Sequence, residues 1–254
     1  MYSKPLLSSN NAKTVKGEKK NFKTFILYMS PFTQNSKGVN LCPMASEGCA
    51  SACLFESGFG GIYTNVKQGR IEKTEFYLSN RIAFLDKLVA EITKLENKYK
   101  DSEFTLAIRL NGTTDISYEK QITSNGKTIF DTFPNVIFYD YTKNYTRFRK
   151  ALPSNYHLTF SRSEINEEIS MDLLSKGHNV AMVFDKLPET YKGYKVVNGD
   201  ETDLRFLDEK NVIVGLKYKK NTGKGGREKN IEALQSGFVI VTQAKVGKKL
   251  SKIA

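Results

Sequence analysis

Apolar residues along this chain gather in short, dense runs. FKTFILYMS (22–30), FTLAIRL (104–110), NVIFYDY (135–141), YHLTF (156–160), NVAMVF (179–184), NVIVGLKY (211–218) and FVIVT (238–242) each predict a strand, and YKVV (194–197) a shorter one. From about Ile71 to Tyr99 the spacing changes. Leu78, Ile82, Leu85, Val89, Ile92 and Leu95 recur at three- and four-residue steps, which predicts a helix with charged residues on its other face. A second helix is predicted from about Ile165 to Lys176, with Gly177 as its C-terminal cap. Strands apolar on both faces and separated by crossover segments predict a mostly parallel sheet covered by helices. The expected fold class is therefore α/β, a complete or partial parallel (βα) barrel of TIM type.

The polar stretches set the expected domain organisation. Residues 22–242 form one barrel domain, preceded by a flexible basic leader (1–21) and followed by a basic tail (243–254). GFGG (58–61) suits close backbone approach to something bulky, and KKNTGKGGREK (219–229) reads as a mobile basic loop. GKGG (223–226) lacks the spacing of a P-loop.

In a parallel barrel, functional side chains gather at the carboxyl ends of the strands. The candidates there are Arg109, Asn111 and Asp115, then Asp140 and Lys143, then Ser161, Arg162 and Glu164, and later Asp185, Asp200, Asp203 and Arg205. Arg109, Asp115, Asp140, Lys143 and Arg162 are the candidate catalytic groups, and Arg109, Asn111 and Arg162 the candidate cofactor-binding ones. Lys143 would serve as electrophile or general acid, and Arg162 would offer its donor fork to a phosphate or carboxylate. Each has a plainer alternative: Arg109 binding Asp115, Asp140 and Lys143 closing a turn, Ser161 or Ser163 capping a helix. GDETDLRFLD (199–208) has the carboxylate density for a divalent metal, or for a salt-bridged turn.

The cysteines sharpen the picture. Cys42, Cys49 and Cys53 are the only 3 in the chain and fall in a C-x6-C-x3-C pattern. An odd number within one loop argues against a disulfide framework and for a metal centre. Ala45, Gly48, Ala50 and Ala52 leave room for an object larger than one ion. A structural zinc site wants four Cys or His ligands, and the chain has 2 histidines, His157 and His178, both beside predicted strands. A [4Fe-4S] cluster accepts three thiolates and leaves one iron open, so iron–sulfur is the first expectation and zinc the alternative.

Charge adds a partner. The formal net charge is +12, and it is uneven. Residues 1–24 carry 6 Lys against 1 Glu, and residues 215–254 carry 10 Lys or Arg against 2 Glu, so the middle is close to neutral. Basic ends on a neutral body point to nucleic acid, or else to simple solubility. No stretch approaches the 18 or so apolar residues of a membrane span, and the N-terminus lacks a signal peptide's apolar run. The expectation is a cytoplasmic protein without a membrane partner.

A three-cysteine loop directly after the first strand of a parallel barrel resembles the arrangement in radical S-adenosylmethionine enzymes, which implies S-adenosylmethionine on the open iron. The usual spacing there is C-x3-C-x2-C, and RLNGTTD (109–115) stands here where that family has a Gly-Gly-Glu element. A closer resemblance lies in CPMASEGCASACL, RLNGTTDI, FYDYTKN, NYHLTFSRSE and GDETDLRFLD with VIVGLK. These strings, from roughly residue 20 to 242, resemble the gene product 88 family of phage and plasmid proteins. That implies a phage-related origin and action in the host cytoplasm.

Overall fold

The computed structural model describes residues 2–9, 12–53, 55, 63–221 and 225–242. Ten strands form one sheet: β1 (Leu7–Ser8), β2 (Phe22–Leu27), β3 (Thr105–Arg109), β4 (Ile137–Thr142), β5 (Tyr156–Ser161), β6 (Val180–Phe184), β7 (Thr190–Tyr191), β8 (Tyr194–Asn198), β9 (Ile213–Lys217) and β10 (Val239–Ile240). Their order is β1-β2-β3-β4-β5-β6-β9-β8-β7. Pairing is parallel from β2 to β8 and antiparallel only at the β1–β2 and β8–β7 edges. β9 runs along one edge of β6. β5 takes Val180 and Ala181 on the other edge, and β10 takes Val183 and Phe184 beyond the point where β5 has left.

The parallel α/β sheet is therefore as the sequence leads one to expect, but it does not close on itself. Its edges end in two-residue antiparallel strands, short enough to offer little template for further pairing.

Alternation along the strands separates two faces. Leu106, Ile108 and Phe138 point to one side and share a core with Leu85, Leu88 and Ile92 of α4 (Arg81–Tyr99). Phe160, Val180, Met182, Phe184 and Ile213 share a second core with Leu173 and Leu174 of α6 (Glu167–Ser175). The opposite face carries Arg109, Tyr139, Tyr141, His157 and Thr159 in register. The segment returning from β8 lies across it. Phe206 sits edge-on to Phe22 at 5.0 Å and to Tyr139 at 5.4 Å, while Asp203 accepts from Arg109 Nη1 at 3.1 Å and Tyr139 OH at 3.2 Å.

Several elements depart from expectation. The long helix is two, α3 (Thr64–Ser79) and α4, broken where Asn80 leaves helical geometry and caps Ala83 N–H at 3.0 Å. Leu78 and Ile82 keep a four-residue step across the break, so spacing alone conceals it. The leader is not a free arm. β1 pairs with β2, Leu6 is fully buried with its N–H on Glu91, and α1 (Ala12–Glu18) packs Gly17 against Leu204. α7 (Gly226–Gln235) begins inside the stretch read as a mobile loop. Two shorter helices are α2 (Glu47–Ser51) and α5 (Ile129–Thr132). Gly177 does end α6, at φ +86°. GFGG (58–61) and the tail 243–254 lie outside the described residues.

Candidate metal centre

The loop that leaves β2 carries all three cysteines, and two neighbouring loops fix it in place. On one side it meets the segment after β3. Asp115 N–H donates to Leu41 O at 2.9 Å, and the Cys42 thiol lies 3.6 Å from Thr113 O. On the other side Glu164, just past β5, grips the start of α2. Its Oε1 accepts from Gly48 N–H at 2.8 Å and its Oε2 from the Ser46 hydroxyl at 2.8 Å, while Ser46 Oγ caps Cys49 N–H at 3.2 Å. A β-carbon on Gly48 would lie 2.6 Å from Phe238 Cβ and closer still to Ser236 Oγ, so only glycine lets α2 seat here. Behind it, Cys49 and Ala52 pack against Ala233, Leu234, Phe238 and Val239.

All three cysteines are partly buried and none is in a disulfide. Burial above all, with Cys53, Asp115 and Cys49 acting the same way, pushes the Cys42 thiol up to about 12, so the three sulfurs share one electrostatic neighbourhood. Among the described residues, no three His, Cys, Asp or Glu side chains form a group that could hold a single metal ion. Neither histidine is at hand. His157 opens β5 against Phe206, and His178 precedes β6 against Phe148 at 5.0 Å, both at the strand ends away from the cysteines. A closed tetrahedral zinc site is thus short of a fourth nitrogen or sulfur ligand among the described residues, whereas a cluster gives each thiolate its own iron.

Two cations flank the loop. Arg70 of α3 stacks over the Tyr28 ring at 5.0 Å and the Phe55 ring at 5.5 Å; burial lowers its pKa, and Tyr28 and Cys53 oppose that. The Lys143 ammonium donates to Ser161 Oγ at 2.7 Å and sits 5.7 Å from the ring of Phe238, which packs near Cys49. Among the described residues neither cation has a carboxylate partner.

The other candidates hold the fold together. Asp140 is one residue out of phase with Tyr139 and Tyr141, so it points into the helix layer and is fully buried. It accepts from Asn111 N–H at 2.7 Å, Asn111 Nδ2 at 3.1 Å and Tyr156 OH at 2.8 Å, and burial pushes its carboxyl up to about 6. Asp115 accepts from Lys143 N–H at 2.8 Å and pairs with the buried Arg147 at 3.2 Å rather than with Arg109. Arg162 turns away from the mouth onto Glu167 at 2.5 Å and the carbonyls of Gly237 and Phe238. Arg109 stays on the polar face, bound to Asp203 and stacked over Tyr141 at 4.7 Å. In the acidic stretch Asp203 takes Arg109 and Asp208 takes Arg205 at 3.2 Å, so its ion pairs are not the turn between Asp203 and Arg205 that the sequence suggests.

Arg70 escapes a reading of the sequence. It lies in a helix whose apolar period is weak, and nothing near it in the chain marks it as inward-facing. Glu164 was visible as a strand-end acid, but its target, 116 residues upstream, was not. No described helix is long and apolar enough to cross a membrane. In comparisons with known proteins, the family model for gene product 88 matches residues 5–240. No curated protein and no solved structure matches the chain.

Proposed function

The chain belongs to the gene product 88 family, and from that premise we propose that it is an iron–sulfur protein whose cluster is held by Cys42, Cys49 and Cys53. The observation that carries this reading is the cysteine loop itself. Three thiols share one neighbourhood at the carboxyl ends of parallel strands, pinned by Asp115 and Glu164 and flanked by Arg70 and Lys143, which have no carboxylate partner among the described residues. A thiolate-bound cluster is anionic, and two cations beside it suit that charge. Such a cluster supplies one-electron chemistry when bound. Consecutive parallel strands with helices on one face and polar side chains on the other support reading the sheet as a partial barrel of radical-SAM-like type. Arg109, Tyr141, Lys143 and Ser161 would line its mouth and orient an anionic or zwitterionic ligand such as S-adenosylmethionine. The partner in the host cytoplasm is nucleic acid, on the strength of the +12 net charge.

A second reading keeps the cluster without the catalysis. Asp115, Asp140 and Arg162, three of the five candidate catalytic groups, are fully engaged in holding the fold. That favours a cluster, or a zinc ion, acting as a structural or redox element of a nucleic-acid-binding protein. The two readings separate in the EPR spectrum of the anaerobically reduced protein. Catalysis of the radical type requires S-adenosylmethionine to change that spectrum. An unchanged spectrum at saturating S-adenosylmethionine leaves the non-catalytic form, and a protein with no cluster signal overturns both cluster readings.

A further inference from the structure

The two basic stretches of the sequence meet in the fold. α1 lies directly on the segment 199–208, where a β-carbon on Gly17 would touch Leu204 at 3.4 Å. Asp200 of that segment gathers cations from both stretches. Its carbonyl accepts from the Lys16 ammonium at 3.2 Å, its Oδ2 accepts from Lys217 N–H at 2.8 Å, and its Oδ1 lies 3.9 Å from the Lys219 ammonium. Lys19 and Lys20 follow in the turn that closes α1, with Lys20 N–H on Gly17 O at 2.9 Å, and Lys220 follows Lys219. Lys16, Lys19, Lys20, Lys217, Lys219 and Lys220 are all exposed. Fewer acids answer them. Asp203 and Asp208 are taken by Arg109 and Arg205, and Glu18 pairs with Lys23 at 2.6 Å, which leaves Asp200 itself and the exposed Glu201 on this edge.

We propose that this edge, built from α1 and the end of β9 around Asp200, is the surface on which the protein holds a nucleic-acid backbone. The inference rests on the nucleic-acid partner of the reading above and gives that partner a place. Charges gathered around one residue act together, because screening at physiological salt sets in over about 8 Å. Like charges so placed repel one another until an anion spans them. A duplex offers one phosphate charge per about 1.7 Å of its axis, a spacing that several lysines can meet at once. The ammonium is a point charge that neutralises phosphate without reading a base, so the binding tolerates any sequence. A lipid surface fits less well. A helix that lies on a membrane needs an apolar face, and Val15 is the one exposed large hydrophobic among the described side chains of α1.

The test compares the full chain as wild type with two variants of equal charge. The patch variant carries Lys16→Gln, Lys219→Gln and Lys220→Gln; the control carries Lys94→Gln, Lys98→Gln and Lys100→Gln at the end of α4, where the lysines are also exposed. Binding of a fluorescein-labelled oligonucleotide, as single-stranded DNA, single-stranded RNA and duplex DNA, is followed by anisotropy across a salt series, and melting is measured on each protein. The patch variant should bind about tenfold more weakly than wild type or worse. Its log–log salt slope should be shallower by about 2–3, one phosphate for each lysine lost, while the control keeps both wild-type values. Should the patch variant melt lower, Lys219→Gln with Lys220→Gln, which leaves the Lys16 bond in place, is read by the same criteria. Equal weakening in patch and control variants overturns the inference, because the net charge then acts from anywhere on the surface. So does wild-type binding by the patch variant. A wild type that binds no oligonucleotide at low salt is a different failure. It removes the nucleic-acid partner and this inference with it, and capture by vesicles of phosphatidylcholine and phosphatidylserine in equal parts would then assign the edge to lipid.

Discussion

Glu164→Ala should loosen the cysteine loop while leaving the sheet intact. The carboxylate makes two charge-assisted contacts to the first turn of α2, with Gly48 N–H and the Ser46 hydroxyl both at 2.8 Å. Hydrogen bonds to a charged group contribute about 1.5–3 kcal/mol each when buried. Glu164 is only partly buried, so the lower end applies, and water replaces part of what is lost. A net local loss of about 2 kcal/mol follows, including the small gain from an anion at a helix start. At about 1.4 kcal/mol per decade, that is roughly a thirtyfold rise in the open population of the loop. Hydrogen–deuterium exchange by mass spectrometry reads this directly: amides of residues 46–53 should exchange roughly thirtyfold faster, and those of β3 to β6 should not change. Glu164→Gln keeps an acceptor for Gly48 and should fall between. Unchanged exchange in 46–53, or a change spread evenly over the sheet, would refute the reasoning.

The remaining predictions concern packing, charge and partners. Gly48→Ala forces a methyl group against Phe238 and Ser236, and should cost about 1–3 kcal/mol in urea unfolding. Asp203→Ala strips Arg109 of its nearer carboxylate and leaves it Asp140 at 4.0 Å, and should cost about 3 kcal/mol, whereas a metal-ligating aspartate would lose metal and little stability. Burial raises the Asp140 carboxyl to about 6, above its ordinary value, so its contribution to stability is present at low pH and lost as pH rises through about 6. Urea midpoints compared between wild type and Asp140→Asn should show that slope in the wild type and a flatter one in the variant. Deleting residues 243–254 removes 4 Lys, and should weaken nucleic-acid binding and flatten its dependence on salt. Absence of binding to DNA or RNA at low salt would leave the charge a solubility device.

The sheet was legible because its strands are dense apolar runs with polar punctuation, and every predicted strand appears, with one or both ends shifted by one to three residues. What hid the rest was physical. Asn80 breaks a helix whose apolar spacing runs straight through it, so the capping side chain was the only sign. α1, AKTVKGE, and α7, GREKNIEALQ, are too polar to announce themselves and hold their places by contacts to Leu204 and to the cysteine loop. At the site, residue type was readable and partnership was not. Arg109 meets Asp203 across 94 positions, and Glu164 meets Gly48 across 116. A single step of strand phase moved Asp140 from the mouth to the helix layer, where it organises Asn111 and Tyr156 instead.

The most direct test of the account is the iron and acid-labile sulfide content of the chain purified without oxygen, set beside Cys42→Ala, Cys49→Ala and Cys53→Ala. The account predicts stoichiometric iron and sulfide in the wild type, with a broad visible absorption, and loss or degradation of both in each single variant. Stoichiometric zinc without sulfide, or a metal content that none of the three substitutions alters, would contradict it.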